Sequence, residues 1–254
     1  MWPVAFYHPL SQVCARIISF LAEKHPEIEQ VRCCIPRWNP KENTDRIKDQ
    51  EVRATWAALP QSAAQWSAGD CAYSLCHNCT NIIAEQHPEV KALSLWELID
   101  AERDFPFPDC SGMTITVQDC WRTRSERKEQ DAVRSILAKC GFTVLEAPLH
   151  HEHTTFCGST LYRPQPLKNP RFAPKYYKEQ AQGLFEPHTP EQQVQLMRDY
   201  CATLPCNQVI CYCHYCLEGL WQGGAQALHL AMLLFPEPGQ TPQEIFAHPP
   251  KAQV

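Results

Sequence analysis

Residues 113–145 read MTITVQDCWRTRSERKEQDAVRSILAKCGFTVL. Met113-Thr-Ile-Thr-Val117 is rich in β-branched residues and predicts a strand. Val133, Ile136, Leu137 and Cys140 then recur at i, i+3, i+4 and i+7, the spacing of one helix face. Gly141 can take the left-handed conformation that ends a helix, and Phe142-Thr-Val-Leu145 resumes strand character. Strand, helix and strand in so short a span make a βαβ unit, and such units build a parallel sheet. The expected fold class is α/β.

Working outward, Val209-Ile210 reads as a short strand leading into Cys213-His-Tyr-Cys216. Before it, Thr189 can cap a helix with Pro190 at the first position and Gln192 completing a capping box, carrying the chain to about Tyr200. The stretch near 163–190 holds Pro164, Pro166, Pro170, Pro174 and Pro187 and reads as an insertion wrapped over the surface. In the first half the pattern is fainter, with Val4 to Tyr7 as a strand and Val13, Ile17, Phe20 and Leu21 on one helix face.

An internal repeat organises the chain. Cys76-His-Asn-Cys79 is followed by the apolar run Leu93 to Ile99, and about 137 residues on Cys213-His-Tyr-Cys216 is followed by Leu228 to Leu234. Phe105-Pro-Phe-Pro108 reads as the linker, giving pseudo-repeated half-domains at 1–105 and 109–254.

The chain has 15 cysteines in 254 residues. At that length a core can be buried without covalent staples, so the cysteines point to chemistry. Met1-Trp-Pro-Val-Ala-Phe-Tyr-His-Pro9 carries neither a basic segment nor an apolar run, which leads us to expect a cytoplasmic protein without a membrane span. In a reducing compartment closely spaced cysteines serve as metal ligands more often than as disulfides, and the odd total agrees. The net charge of −5 gives no attraction for nucleic acid. Arg122, Arg124, Arg127 and Lys128 are interleaved with Glu126 and Glu129, the pattern of a solvated helix face. Without a glycine-rich phosphate loop no nucleotide or flavin is expected, so electrons would arrive from a redox partner protein.

In a parallel sheet, ligands collect beyond the carboxyl ends of the strands, and the cysteines fall there. Cys120 follows the Met113 strand, Cys157 follows the Phe142 strand, and Cys213 and Cys216 follow Val209-Ile210. In the first half Cys14 follows the first strand, Cys33-Cys34 lies in the second crossover, and Cys76 and Cys79 open the closing segment. Helix N-termini suit thiolates, because the helix dipole favours negative charge. His150-His-Glu-His153 can also bind metal, but reads first as a solvated loop. Cys140 reads as core, and Cys71, Cys110, Cys201, Cys206 and Cys211 read as structural.

The order of a single cysteine, a Cys-Cys pair and a Cys-x-x-Cys turn resembles the cysteine-rich CCG-domain family, whose members include a component of heterodisulfide reductase and the iron–sulfur proteins of glycolate and lactate oxidation systems. The resemblance implies two tandem domains. It also implies that Cys14, Cys33, Cys34, Cys76 and Cys79 hold a non-cubane [4Fe-4S] cluster that reduces a disulfide or a related substrate, with Cys33 and Cys34 at its reactive centre. The chain departs from the pattern in having Ile35 where the family has glycine after the pair, and only 18 residues between Cys14 and Cys33. In the second half the pair becomes Phe156-Cys157-Gly158. That leaves Cys120, Cys157, Cys213 and Cys216, a four-thiolate set suited to a cubane [4Fe-4S] cluster or a zinc ion. Two other readings stand beside the disulfide reductase, namely an electron-transfer protein without its own substrate and a zinc-stabilised interaction protein.

Overall fold

The computed structural model describes residues 2–4, 10–32, 66–158, 168–184 and 188–247, together with residues 54, 58 and 186. The chain forms two compact units, residues 1–95 and 96–254. Cys33 and Cys34 lie outside the described residues, as does the Ala5 to Tyr7 part of the expected first strand.

In the first unit β1 (Trp2–Val4) leads to α1 (Ser11–Lys24) and returns as β2 (Gln30–Arg32), which pairs with β1 in parallel. Val13, Ile17 and Leu21 of the expected apolar face are buried, and Phe20 is half-buried. A second parallel pair, β3 (Cys71–Ser74) and β4 (Lys91–Ser94), is connected through α2 (His77–Gln86), and the chain then enters α3 (Leu95–Ala101).

The second unit is built on β5 (Thr114–Gln118), α4 (Arg127–Lys139) and β6 (Thr143–Glu146), the βαβ unit expected from residues 113–145. Val133, Ile136, Leu137 and Cys140 all point into the core. Gly141 ends the helix at φ +84°. The chain later adds α5 (Lys168–Phe172), a π-helical turn at Lys175–Gln180, α6 (Pro190–Cys201), β7 (Gln208–Cys211), α7 (His214–Gln222), β8 (Gln226–His229), α8 (Leu230–Leu234) and α9 (Pro242–Ala247). Helix α6 opens with both arms of the capping box, Thr189 accepting from the Gln192 backbone N–H and Gln192 Oε1 accepting from the Thr189 N–H. Such a cap contributes about 1 kcal/mol. The Phe105 to Pro108 stretch lies within this unit, with the Phe105 ring edge-on to Phe235.

The four strands of the second unit run parallel in the order β6-β5-β7-β8. Ile115, Val117, Val209, Ile210, Ala227 and Leu228 are fully buried, as expected of a parallel sheet covered on both faces. The chain leaves β5 toward one edge and continues from β7 toward the other, so a topological switch point falls between β5 and β7. Open parallel sheets place their ligand crevices at such points. No helix among the described residues is long and apolar enough to cross a membrane.

Candidate metal centre

Cys120 lies two residues beyond the end of β5 and Cys213 two residues beyond the end of β7, so the pair straddles the switch point. Cys157 is delivered by the loop after β6, and Cys216 lies in the first turn of α7. All four thiols are buried, and their sulfurs lie within 4.8 Å of one another. Cys120 Sγ is 3.6 Å from Cys157 Sγ. Every second-half ligand expected from the sequence is therefore in one cluster.

Local structure explains the convergence. Cys213 caps α7 in an extended conformation, so the first sulfur of the Cys-x-x-Cys turn sits at the helix N-terminus and the second one turn in. In the first unit Cys76 caps α2 in the same way, with Cys79 in the first turn. Gly158 lies at φ +49°, and a Cβ there would fall 1.8 Å from the Tyr215 carbonyl oxygen, so only glycine lets the Cys157 loop lie against the Cys213–Cys216 turn. A Cβ on Gly219 of α7 would in turn meet Gly158 Cα at 2.3 Å. We expect Gly158→Ala to expel the loop and to weaken metal retention at least tenfold, since the left-handed conformation alone costs a non-glycine residue about 1–3 kcal/mol. Metal transfer to a chromophoric chelator measures this, and a wild-type rate would contradict the close approach.

Asp119, completely buried beside Cys120, is the framework of the site. Its carboxylate accepts from Tyr212 Oη at 2.6 Å, from the His151 backbone N–H at 2.6 Å, and from Arg134 through both terminal nitrogens at 3.1 and 2.8 Å. Tyr212 directly precedes Cys213, so this bond ties the two ligand loops together from behind. Burial alone would raise the pKa of Asp119, but the bonds from Arg134, Tyr212 and His151 outweigh it and hold it below the usual value. Arg134 also forks onto Glu146, and the Trp121 N–H donates to the Phe156 carbonyl at 2.8 Å. The Phe156 ring is buried and stacked on Tyr200 with centroids 4.1 Å apart.

Burial raises the thiol pKa of Cys120 and Cys216 well above that of a free cysteine. At Cys157 burial acts in the same direction, but hydrogen bonds from Cys120 and Cys216 and the charge of Arg122 prevail and lower it. Arg122 corrects the reading of the basic cluster as a solvated helix face. Its side chain is buried in a 3-10 turn at Trp121–Thr123, with Nε 3.2 Å from Cys157 Sγ. The guanidinium lies 4.8 Å from the Tyr177 ring centroid and 4.9 Å from that of Tyr215. Arg127 and Lys128 are exposed as expected. The proline-rich insertion is likewise more than a surface wrap, for Ala173, Tyr177 and Ala181 of its described part are buried.

Among the remaining expected ligands, Cys14 sits in the first turn of α1 and is fully buried. Burial first, and then the neighbouring Cys76, push its pKa up to about 12. Cys76 and Cys79 are buried as well. Cys110 and Cys140 are buried and joined by a backbone hydrogen bond of 2.7 Å, and Cys206 Sγ lies 3.3 Å from the Thr114 carbonyl oxygen. His150 and His151 face each other with Nδ1 atoms 2.6 Å apart, close to Glu146. His151 is buried, unlike a residue of a solvated loop. Both Glu146 oxygens are already bound by Arg134, which makes this trio a poor cation site.

No protein-family model, no curated protein and no solved structure matches the chain.

Proposed function

We propose that this chain is a cysteine-ligated metalloprotein of the redox class with its tasks divided between two centres. In the second unit Cys120, Cys157, Cys213 and Cys216 bind one tetrahedral ion, best zinc, in a stabilising role. In the first half Cys14, Cys33, Cys34, Cys76 and Cys79 hold a [4Fe-4S] cluster of the non-cubane kind at which a disulfide or related substrate is reduced. A disulfide there takes up two electrons, supplied by a partner protein, and two protons, and leaves as two thiols.

The observation that carries the assignment of the second centre is the mutual approach of four buried sulfurs within 4.8 Å. Four zinc–sulfur bonds of about 2.3 Å place tetrahedral sulfurs about 3.8 Å apart. The Cys120–Cys157 separation of 3.6 Å fits that spacing. A cubane cluster binds each thiolate through a different iron and spreads the four sulfurs wider. Four protein thiolates also close the shell, leaving no position for a substrate. The reading of the first centre is supported by the order of its cysteines and by the burial of Cys14, Cys76 and Cys79.

Anaerobic purification with analysis of iron, acid-labile sulfide and zinc tests the whole reading. We expect one zinc per chain together with iron and sulfide, and we expect Cys33→Ser or Cys34→Ser to remove the iron and sulfide while leaving the zinc. Unchanged iron and redox spectra in both variants would refute the first centre. Iron and sulfide lost on Cys213→Ser, with no zinc in the parent protein, would put a cubane in the second unit and make it an electron relay.

A further inference from the structure

A divalent ion held by four thiolates carries two net negative charges, and burying such a centre is costly unless an opposite charge lies close by. Arg122 is that charge. It is buried, its Nε–H donates to Cys157 Sγ at 3.2 Å, and its guanidinium carbon lies over two aromatic rings. One ring, Tyr215, lies inside the Cys213–Cys216 turn, and the other, Tyr177, comes from the π-helical turn of the proline-rich insertion. A cation over aromatic faces is attracted by the ring quadrupoles, and more strongly where water is excluded. A planar guanidinium can donate to sulfur while its face stays against aromatic rings, which a lysine ammonium cannot reproduce.

We propose that Arg122, lying over Tyr177 and Tyr215, is the positioning residue that lets the centre retain a divalent ion. The insertion would thereby serve to cover this charge. The proposal rests on the reading of Cys120, Cys157, Cys213 and Cys216 as a metal centre, and the measurements below separate the two.

The purified parent protein is first assayed for bound metal, and then zinc release to a chromophoric chelator is timed for the parent and for Arg122→Met, Arg122→Lys and Tyr177→Leu. Cobalt-loaded samples supply the sulfur-to-cobalt charge-transfer band, which reports thiolate number. Loss of a hydrogen bond from a charged donor is worth about tenfold or more in an equilibrium. We therefore expect release at least about tenfold faster from Arg122→Met with a weakened charge-transfer band, partial rescue in Arg122→Lys, and an intermediate rate in Tyr177→Leu. Parental rates and bands in Arg122→Met would overturn the proposal while leaving the metal centre standing. A parent protein that binds no metal would overturn both. Should Arg122→Met fail to fold, parental release from both Arg122→Lys and Tyr177→Leu would overturn the role of Arg122.

Discussion

Stripping the metal from the reduced protein is expected to lower the thermal midpoint of the second unit by more than about 10 °C. The ligands come from three connections, after β5, after β6 and after β7, and without an ion their sulfurs merely crowd one another in the interior. Tetrahedral zinc in folded cysteine sites is worth about 10–16 kcal/mol of binding, and this appears as folding free energy wherever the unfolded chain lacks the site. A unit of this size shifts by about 2–4 °C per kcal/mol, so about half of that binding energy suffices. Calorimetry before and after treatment with a strong chelator and a reductant decides the matter. An unchanged midpoint after demonstrated metal removal would mean that the packed sheet holds the three connections unaided.

The second large effect is expected at Asp119. Asp119→Ala removes one partner of a buried ion pair and leaves Arg134, Tyr212 Oη and the His151 N–H without their shared acceptor, a class of change that costs about 3–5 kcal/mol. The same carboxylate fixes an acid limit. Its pKa is lower in the folded protein than the value of about 3.9 in an unfolded chain. Its contribution is therefore fully present above about pH 4 and is lost as pH falls through the depressed folded value. Loss of metal through thiolate protonation acts in the same direction, so metal-free protein must be compared. There, Asp119→Asn should be less stable near neutrality and should lose less stability between pH 5 and 3 than the parent. Equal acid slopes would exclude Asp119 as the titrating group.

The second unit was largely legible in its sequence because its signals are local. β-Branched runs mark β5 and β6, the Val133-Ile136-Leu137-Cys140 face marks α4, and Thr189, Pro190 and Gln192 mark the start of α6. The four cysteines follow, since each lies just past a strand, in the loop after one or in the first turn of the next helix. The hidden residues are those whose role depends on contacts distant in sequence. Nothing local distinguishes Asp119 as the partner of Tyr212, 93 residues away, or Tyr177 as a cover for Arg122. Arg122 sits among charges of both signs, a pattern that normally marks solvent exposure, and only the tertiary fold turns it inward. The signal that could have found Asp119 and Tyr212 is their position, each immediately before a ligand cysteine.

The spread of the four ligands along the chain bears on how the protein is made. Synthesis proceeds from the N-terminus at about 5–20 residues per second. When Cys120 and Cys157 have left the ribosome, only half of the thiols are in hand, and the Cys213–Cys216 turn that completes them follows the proline-rich insertion and α6. β7 must also insert beside β5 before Cys213 can reach Cys120, and pairing across so long a separation is slow. The four-thiol set is therefore complete only after β7 has been made, and a ribosome-bound product ending before residue 213 would carry only Cys120 and Cys157 of it.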